Sequence, residues 1–159
     1  MKKEILIVYY SHSGNTQKVA KLIQQETGGV LCEIQPEIAY PASYNAVVEQ
    51  AKKEIQAGYR PEIKNTVPDL EPYDTIFVGS PNWWSTVAPP IATFLSKNNL
   101  SGKTIIPFCT HGGGGLGHIQ QDINRLCPQS RVLDCFALYG DGGTGAKSKI
   151  AAWLRKIDI

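Results

Sequence analysis

The feature that most limits what this chain can fold into is an alternation. Short, nearly continuous apolar runs are separated by longer segments with helical spacing, and most of the runs end in small or hydroxyl residues. The first run, Glu4 to Tyr10, is rich in Ile, Leu and Val, as a strand buried on both faces must be. The spacing then predicts a helix from Asn15 to Thr27, with Val19, Ala20, Leu22 and Ile23 on its apolar side, Ser13 as its cap and Gly28-Gly29 as its stop. Further strands are predicted at Val30–Gln35, Asp74–Ser80, Lys103–Thr110 and Arg131–Leu138. Between them lie a helix from Ser43 to Gly58 with Val47, Ala51 and Ile55 inward, and one opening at Pro89-Pro90, where missing amide hydrogens cost nothing. The last two helical patterns carry Leu116, Ile119, Ile123 and Leu126, then Ile150, Trp153, Leu154 and Ile157; residues 59–72 read as loop.

Five strands and five helices in strict alternation, with no internal repeat or linker, predict one three-layer α/β/α domain over residues 1–159, a parallel sheet wrapped by helices. In such a sheet ligands bind beyond the carboxyl ends of the strands, at the switch point in strand order. That rule selects the loops after strands one, three, four and five.

Bulk properties exclude some partners. Net charge is +2, too small for a nucleic-acid footprint. The opening apolar run is too short to span a membrane and no small-residue cleavage site follows, so the expected location is the cytoplasm. Cys32, Cys109, Cys127 and Cys135 show no metal-ligand spacing and read as free thiols; Cys109, at a strand end, reads as packing before chemistry.

The loop after strand one is Ser11-His12-Ser13-Gly14-Asn15-Thr16. Its hydroxyls, the Asn15 amide, the backbone N–H groups of residues 14–16 and a helix N-terminus can all face one anion. It has no lysine, as a Walker loop requires, no cysteine nucleophile with a closing arginine, and no aspartate cluster of a receiver domain. The bland alternative is a capped turn without ligand. The loop after strand three, Pro81-Asn82-Trp83-Trp84-Ser85, sets two tryptophans in a stretch with no charge from Ser80 to Pro90. One of them can fold back as core; a flat aromatic ligand accounts for the other. The loop after strand four, Thr110-His111-Gly112-Gly113-Gly114-Gly115, lets a ligand approach bare backbone. It also matches GxGxxG at Gly112, Gly114 and Gly117, but only one βαβ unit remains downstream and Asp134 falls mid-strand, so a dinucleotide site is the weaker reading.

These residues resemble the flavodoxin-like family. Ser11, Ser13, Gly14 and Thr16 meet its phosphate fingerprint [ST]-x-[ST]-G-x-T; the segment from Glu71 to Leu95 resembles the one whose tryptophan flanks the flavin; Cys109 to Gly115 resembles its third flavin loop. The resemblance covers nearly the whole chain and implies a 2-1-3-4-5 parallel sheet and one non-covalent flavin mononucleotide (FMN). It places the phosphate on the loop from Ser11 to Thr16, with His12 inside it. It places the ribityl chain and ring on Pro81, Asn82, Trp83, Trp84, Thr110, His111, Gly112, Gly113 and Gly114.

There are departures. His12 is an imidazole where none is expected, and Asn82 and Ser85 replace residues more often aliphatic or glycine. All three flavin loops lack Asp and Glu, which in electron-carrier flavodoxins hold the reduced flavin at low potential; a weaker reductant is expected here. His111 is either a donor to the flavin's O2/N1 side or a plain loop histidine. His118 lies beside the site, and Tyr139 and Asp141 read as turn residues that rim it. The resemblance implies an electron carrier serving redox partner proteins, as a monomer or weak dimer. The alternative is an NAD(P)H-dependent quinone or flavin reductase, with the tryptophan pair facing a small quinone-like acceptor. A cofactor-free binding module is the third reading, disfavoured by the intact phosphate loop.

Overall fold

A computed structural model describes residues 4–159. Its elements are β1 (Ile5–Tyr9), α1 (Asn15–Thr27), β2 (Val30–Glu33), α2 (Tyr44–Ala57), β3 (Thr75–Pro81), α3 (Pro89–Lys97), β4 (Thr104–His111), α4 (Ile119–Leu126), β5 (Arg131–Val132), β6 (Phe136–Tyr139) and α5 (Ala146–Lys156), with a 3-10 turn at Gly143–Gly145. All pairings are parallel, in the order β2-β1-β3-β4, with β5 and β6 both on the outer side of β4. This is the predicted 2-1-3-4-5 sheet, with the fifth position shared by two short strands.

The central strands are buried on both faces because helices cover both. Leu6, Val8, Ile76, Val78 and Ile105 pack against Val47 of α2, Ile91 and Phe94 of α3, and Ile119 and Ile123 of α4. Ile7, Phe77, Ile106 and Phe108 pack against Val19 and Ile23 of α1 and Ile150 and Leu154 of α5. Burial of each such side chain stabilises the fold by about 1.5–3 kcal/mol.

Several boundaries differ from the sequence-based expectation, each for a local reason. The fifth strand is broken. Val132 pairs with Ile105 and Phe136 with Phe108, so three residues intervene on one side and two on the other. That is a bulge, and it lies opposite Pro107, which has no N–H to give to a ladder. The Gln120 side chain of α4 occupies the gap, accepting from Cys135 N–H at 3.1 Å and donating to Asp134 at 3.1 Å. Helix α4 begins at Ile119, three residues later than the spacing of Leu116 implies; Leu116 lies in the preceding turn and is exposed. Ile55 is only partly buried on α2, and Ile157 lies just past the end of α5.

Candidate functional site

The loops after β1, β3, β4 and β6 meet at the carboxyl edge of the sheet, at the switch point between β1 and β3. Their meeting is fixed by specific bonds. Asn82 N–H donates to Thr110 O at 2.8 Å, and Asn82 Nδ2 donates to Gly115 O at 2.8 Å. Asn82 Oδ1 accepts from Ser85 N–H at 2.8 Å, and His118 N–H donates to Ser85 O at 2.6 Å. The Thr16 and Thr110 hydroxyls, both buried, share a hydrogen bond of 2.8 Å and tie the first loop to the third.

In the first loop, Gly14 is the helix N-cap with φ 100°, a left-handed conformation that turns the chain sharply into α1. The capping side chain is Ser11, not Ser13. Ser11 Oγ accepts from the N–H of Gly14 at 3.1 Å and of Gln17 at 3.2 Å. Gly14 N–H is therefore spent inside the loop. The N–H groups of Ser13, Asn15 and Thr16 have no partner among the described residues. Because Ser11 Oγ only accepts, its proton is free to be given outward, as is that of the exposed Ser13. The Thr16–Thr110 pair has two protons and one mutual bond, so it too holds one in reserve. The result is a seat of donors at a helix N-terminus, with no carboxylate in the loop: the chemistry of an anion site.

His12 is turned away from that seat. Its Nε2 bonds Pro41 O at 2.8 Å, in the connection before α2, and its ring meets Trp83 edge-on at 6.0 Å. Lys18 at the first turn of α1 pairs with Asp141 at 3.0 Å, tying the loop after β6 to the same helix end. The Asp141 carboxyl is held below its ordinary range by Gly143 N–H first and by Lys18 second. Lys18 is thus engaged in an exposed ion pair.

The tryptophans part company. Trp83 is half-buried among Tyr40 (5.1 Å between centroids), Tyr10 (5.5 Å) and His12, all edge-on. Trp84 is half-exposed; its Nε1 donates to Val48 O of α2 at 3.0 Å, and Lys52 lies 5.4 Å over its ring. They diverge because Trp83 and Thr86 exchange two backbone bonds, at 3.1 and 3.2 Å, around a two-residue turn. That turn puts Trp84 at φ 56° and Ser85 at φ 69°, a conformation that usually calls for glycine or asparagine. Between the first loop, the tryptophans and Val47, Val48 and Ala51 of α2 is a mostly apolar cleft of about 170 Å³. A larger cleft, of about 530 Å³, lies at the opposite edge among Glu4, Glu26 and Asp158, away from the carboxyl ends where such sheets bind ligands.

In the third loop Gly112, Gly113 and Gly114 are exposed; the first two face open space and Gly114 faces Asn82 Nδ2. His111 Nδ1 accepts from Gly113 N–H at 3.0 Å, leaving Nε2 as the outward donor; its ring meets the exposed Tyr139 at 5.9 Å. Cys109 is buried under this loop, its thiol donating to Gly115 O at 3.9 Å. All residues expected at the site lie on these loops. Tyr40, Glu54 and Lys18, the partner of the rim residue Asp141, were not foreseen as neighbours of it, because no periodicity marks them.

A parallel 2-1-3-4-5 sheet with a hydroxyl-lined helix terminus and an aromatic and a glycine loop at its switch point defines a flavodoxin-like α/β protein. The chain belongs to the flavodoxin family, whose model, described as Flavodoxin, matches residues 4–157. Among solved structures, a flavoprotein from Lactobacillus acidophilus NCFM in complex with FMN is 30% identical, with a TM-score of 0.76, over 92% of this chain and 99% of that one. A protein from Bacteroides eggerthii DSM 20697, provisionally designated a flavoprotein, is 29% identical with a TM-score of 0.86, over 98% of each chain. Oxidised flavodoxin 2 from Bacillus cereus shares the fold at 19% identity and a TM-score of 0.62, over 98% of this chain and 97% of that one. No curated protein matches significantly. Among the described residues no helix is long and apolar enough to cross a membrane, and no cluster of side chains could hold a metal ion.

Proposed function

We propose that this chain binds FMN and works as an electron carrier between redox partner proteins. The observation that carries the reading is the seat itself. Three free N–H groups and several hydroxyl protons converge at a helix terminus without a fixed cation. A nucleoside triphosphate under attack needs a lysine and a metal because charge builds up during the reaction. A terminal phosphate that is only held needs neither, and the FMN complex of the Lactobacillus acidophilus relative supports that match. Ser11, Ser13 and the amides of Asn15 and Thr16 hold the phosphate. Asn82, Trp83 and the Thr110–Gly114 backbone hold the ribityl chain and ring. The bound flavin supplies the one- and two-electron chemistry.

The carrier reading is favoured over a quinone reductase by the tryptophans. Trp83 is committed to Tyr10 and Tyr40, and Trp84 to α2, so they do not form a sandwich for a second ring. Around the open glycine loop stand the exposed Leu116 and Tyr139, a surface suited to a docking protein. Titrating the purified protein with FMN is expected to quench tryptophan emission and yield a yellow complex; an unchanged emission rejects the reading. Steady NADH or NADPH oxidation with a quinone acceptor would instead establish the reductase.

A further inference from the structure

The hydroxyl of Tyr40, whose ring packs edge-on against Trp83, donates to the half-buried Glu54 Oε1 at 2.5 Å. Glu54 also accepts from Gln50 Nε2 at 2.9 Å, one turn earlier on α2, which fixes the carboxylate in place. Burial first and Glu54 second push the Tyr40 phenol well above its ordinary range, so it keeps its proton while in its resting state. None of this is required to hold a flavin.

We infer that Trp83, Tyr40 and Glu54 form a proton-coupled oxidation relay leading away from the flavin seat, an inference that rests on the FMN reading for its natural trigger. Trp83 stands at the seat and its ring centroid is 5.1 Å from that of Tyr40. The Trp83 indole would give one electron to a one-electron oxidant at the seat, a part that bound FMN would fill when photo-excited in its oxidised form. The indole radical cation takes one electron from Tyr40, whose phenolic proton moves to Glu54 Oε1 in the same step. The sum is one phenoxyl radical, one protonated carboxyl and an oxidant reduced by one electron; Trp83 ends unchanged. Phenol oxidation is favourable only when the proton has somewhere to go, and that condition selects Tyr40. Tyr10 is nearly as close to Trp83, at 5.5 Å, but its hydroxyl has no hydrogen-bond partner among the described residues. The relay moves oxidising equivalents off the flavin seat into a site where a carboxylate stores the proton.

The relay is testable without the flavin. The chain has three tryptophans, so Trp84→Phe with Trp153→Phe leaves Trp83 as the sole indole. Laser photoionisation of this apoprotein, followed by time-resolved absorption, is expected to show the indole radical decaying as a phenoxyl signal grows. Tyr40→Phe and Glu54→Gln are each expected to prolong the indole radical by roughly tenfold or more, the change brought by a barrier about 1.36 kcal/mol higher. Tyr10→Phe is expected to leave the decay as it was. In the unaltered protein, transfer is expected to slow in deuterated solvent, a measurement that needs no substitution to fold. Absence of a phenoxyl signal in the parent, or its persistence in Tyr40→Phe, overturns the relay. If direct photoionisation drives the relay but excited FMN does not, the relay stands and the FMN reading falls.

Discussion

His12 sits inside a loop built to hold an anion, and its imidazole is bonded elsewhere, to Pro41 O. The sequence shows that a histidine is there; it does not show which way the ring turns, because that depends on a carbonyl 29 residues away. The same holds for Ser11 and Ser13. Both are hydroxyls at capping distance, and only the left-handed turn at Gly14 decides that Ser11 faces the helix amides while Ser13 faces solvent. Thr16, expected at the phosphate, shares one hydroxyl bond with Thr110, which sequence spacing does not reveal. Which residues the loops bring together at the switch point was therefore legible, and hydrogen-bond assignment was not. A residue the sequence leaves silent is Gly79 in the middle of β3. A Cβ there would stand 2.2 Å from the ring of Phe108, which is wholly buried in the core that the sheet makes with α1 and α5. Gly79→Ala is expected to lower stability by on the order of 1–3 kcal/mol. A urea midpoint equal to that of the parent would show that Phe108 has room to move.

At the level of elements, the central strands and α1 were legible because their signals are local and strong: continuous Ile/Leu/Val runs, a glycine stop, a double proline at a helix start. The fifth strand was legible as an apolar run but not as two pieces, because its break is caused by Pro107 on the neighbouring strand. The turn at Trp84-Ser85 was hidden for a related reason. Two non-glycine residues at positive φ run against propensity, at about 1–2 kcal/mol each. What holds them there is contact across loops: Trp84 on α2, Ser85 between Asn82 and His118, and Gly117 pressed on the Ser85 backbone. A Cβ on Gly117 would lie 2.7 Å from Ser85 Cα, whereas one on Gly113 would meet nothing within 4 Å. Both glycines have positive φ, but Gly117 at 54° lies in the left-handed well and Gly113 at 129° outside it, so backbone strain alone would make Gly113→Ala at least as costly. Gly117→Ala is expected to weaken FMN binding severalfold beyond the effect of Gly113→Ala, by forcing the second and third loops apart. Equal losses in a parallel fluorescence titration of the two variants would mean that strain, and not loop contact, sets the affinity.

Across the whole molecule, charge is nearly balanced, and what matters is where the carboxylates are not. The three loops at the switch point hold none. Asp141 is paired with Lys18, Asp122 with Arg125 and Thr86, and Glu54 with Tyr40. Each acid near the site is thus neutralised or hydrogen-bonded, and the seat feels the helix dipole of α1 and the outward donor of His111 instead. A reduced flavin carries negative charge on its ring, and a low-dielectric surface ringed by carboxylates raises the energy of that charge. Without the ring of acids that penalty is largely absent. Uptake of the second electron by bound FMN is therefore expected at a potential close to that of free FMN, with little of the depression that acidic flavodoxins impose. The field at issue comes from charges near a surface, so the potential is also expected to vary weakly with ionic strength. An equilibrium redox titration at low and at high salt measures both. A strongly depressed second-electron potential that rises towards the free value as salt is added would reveal a negative field, and would place the source of it beyond these three loops.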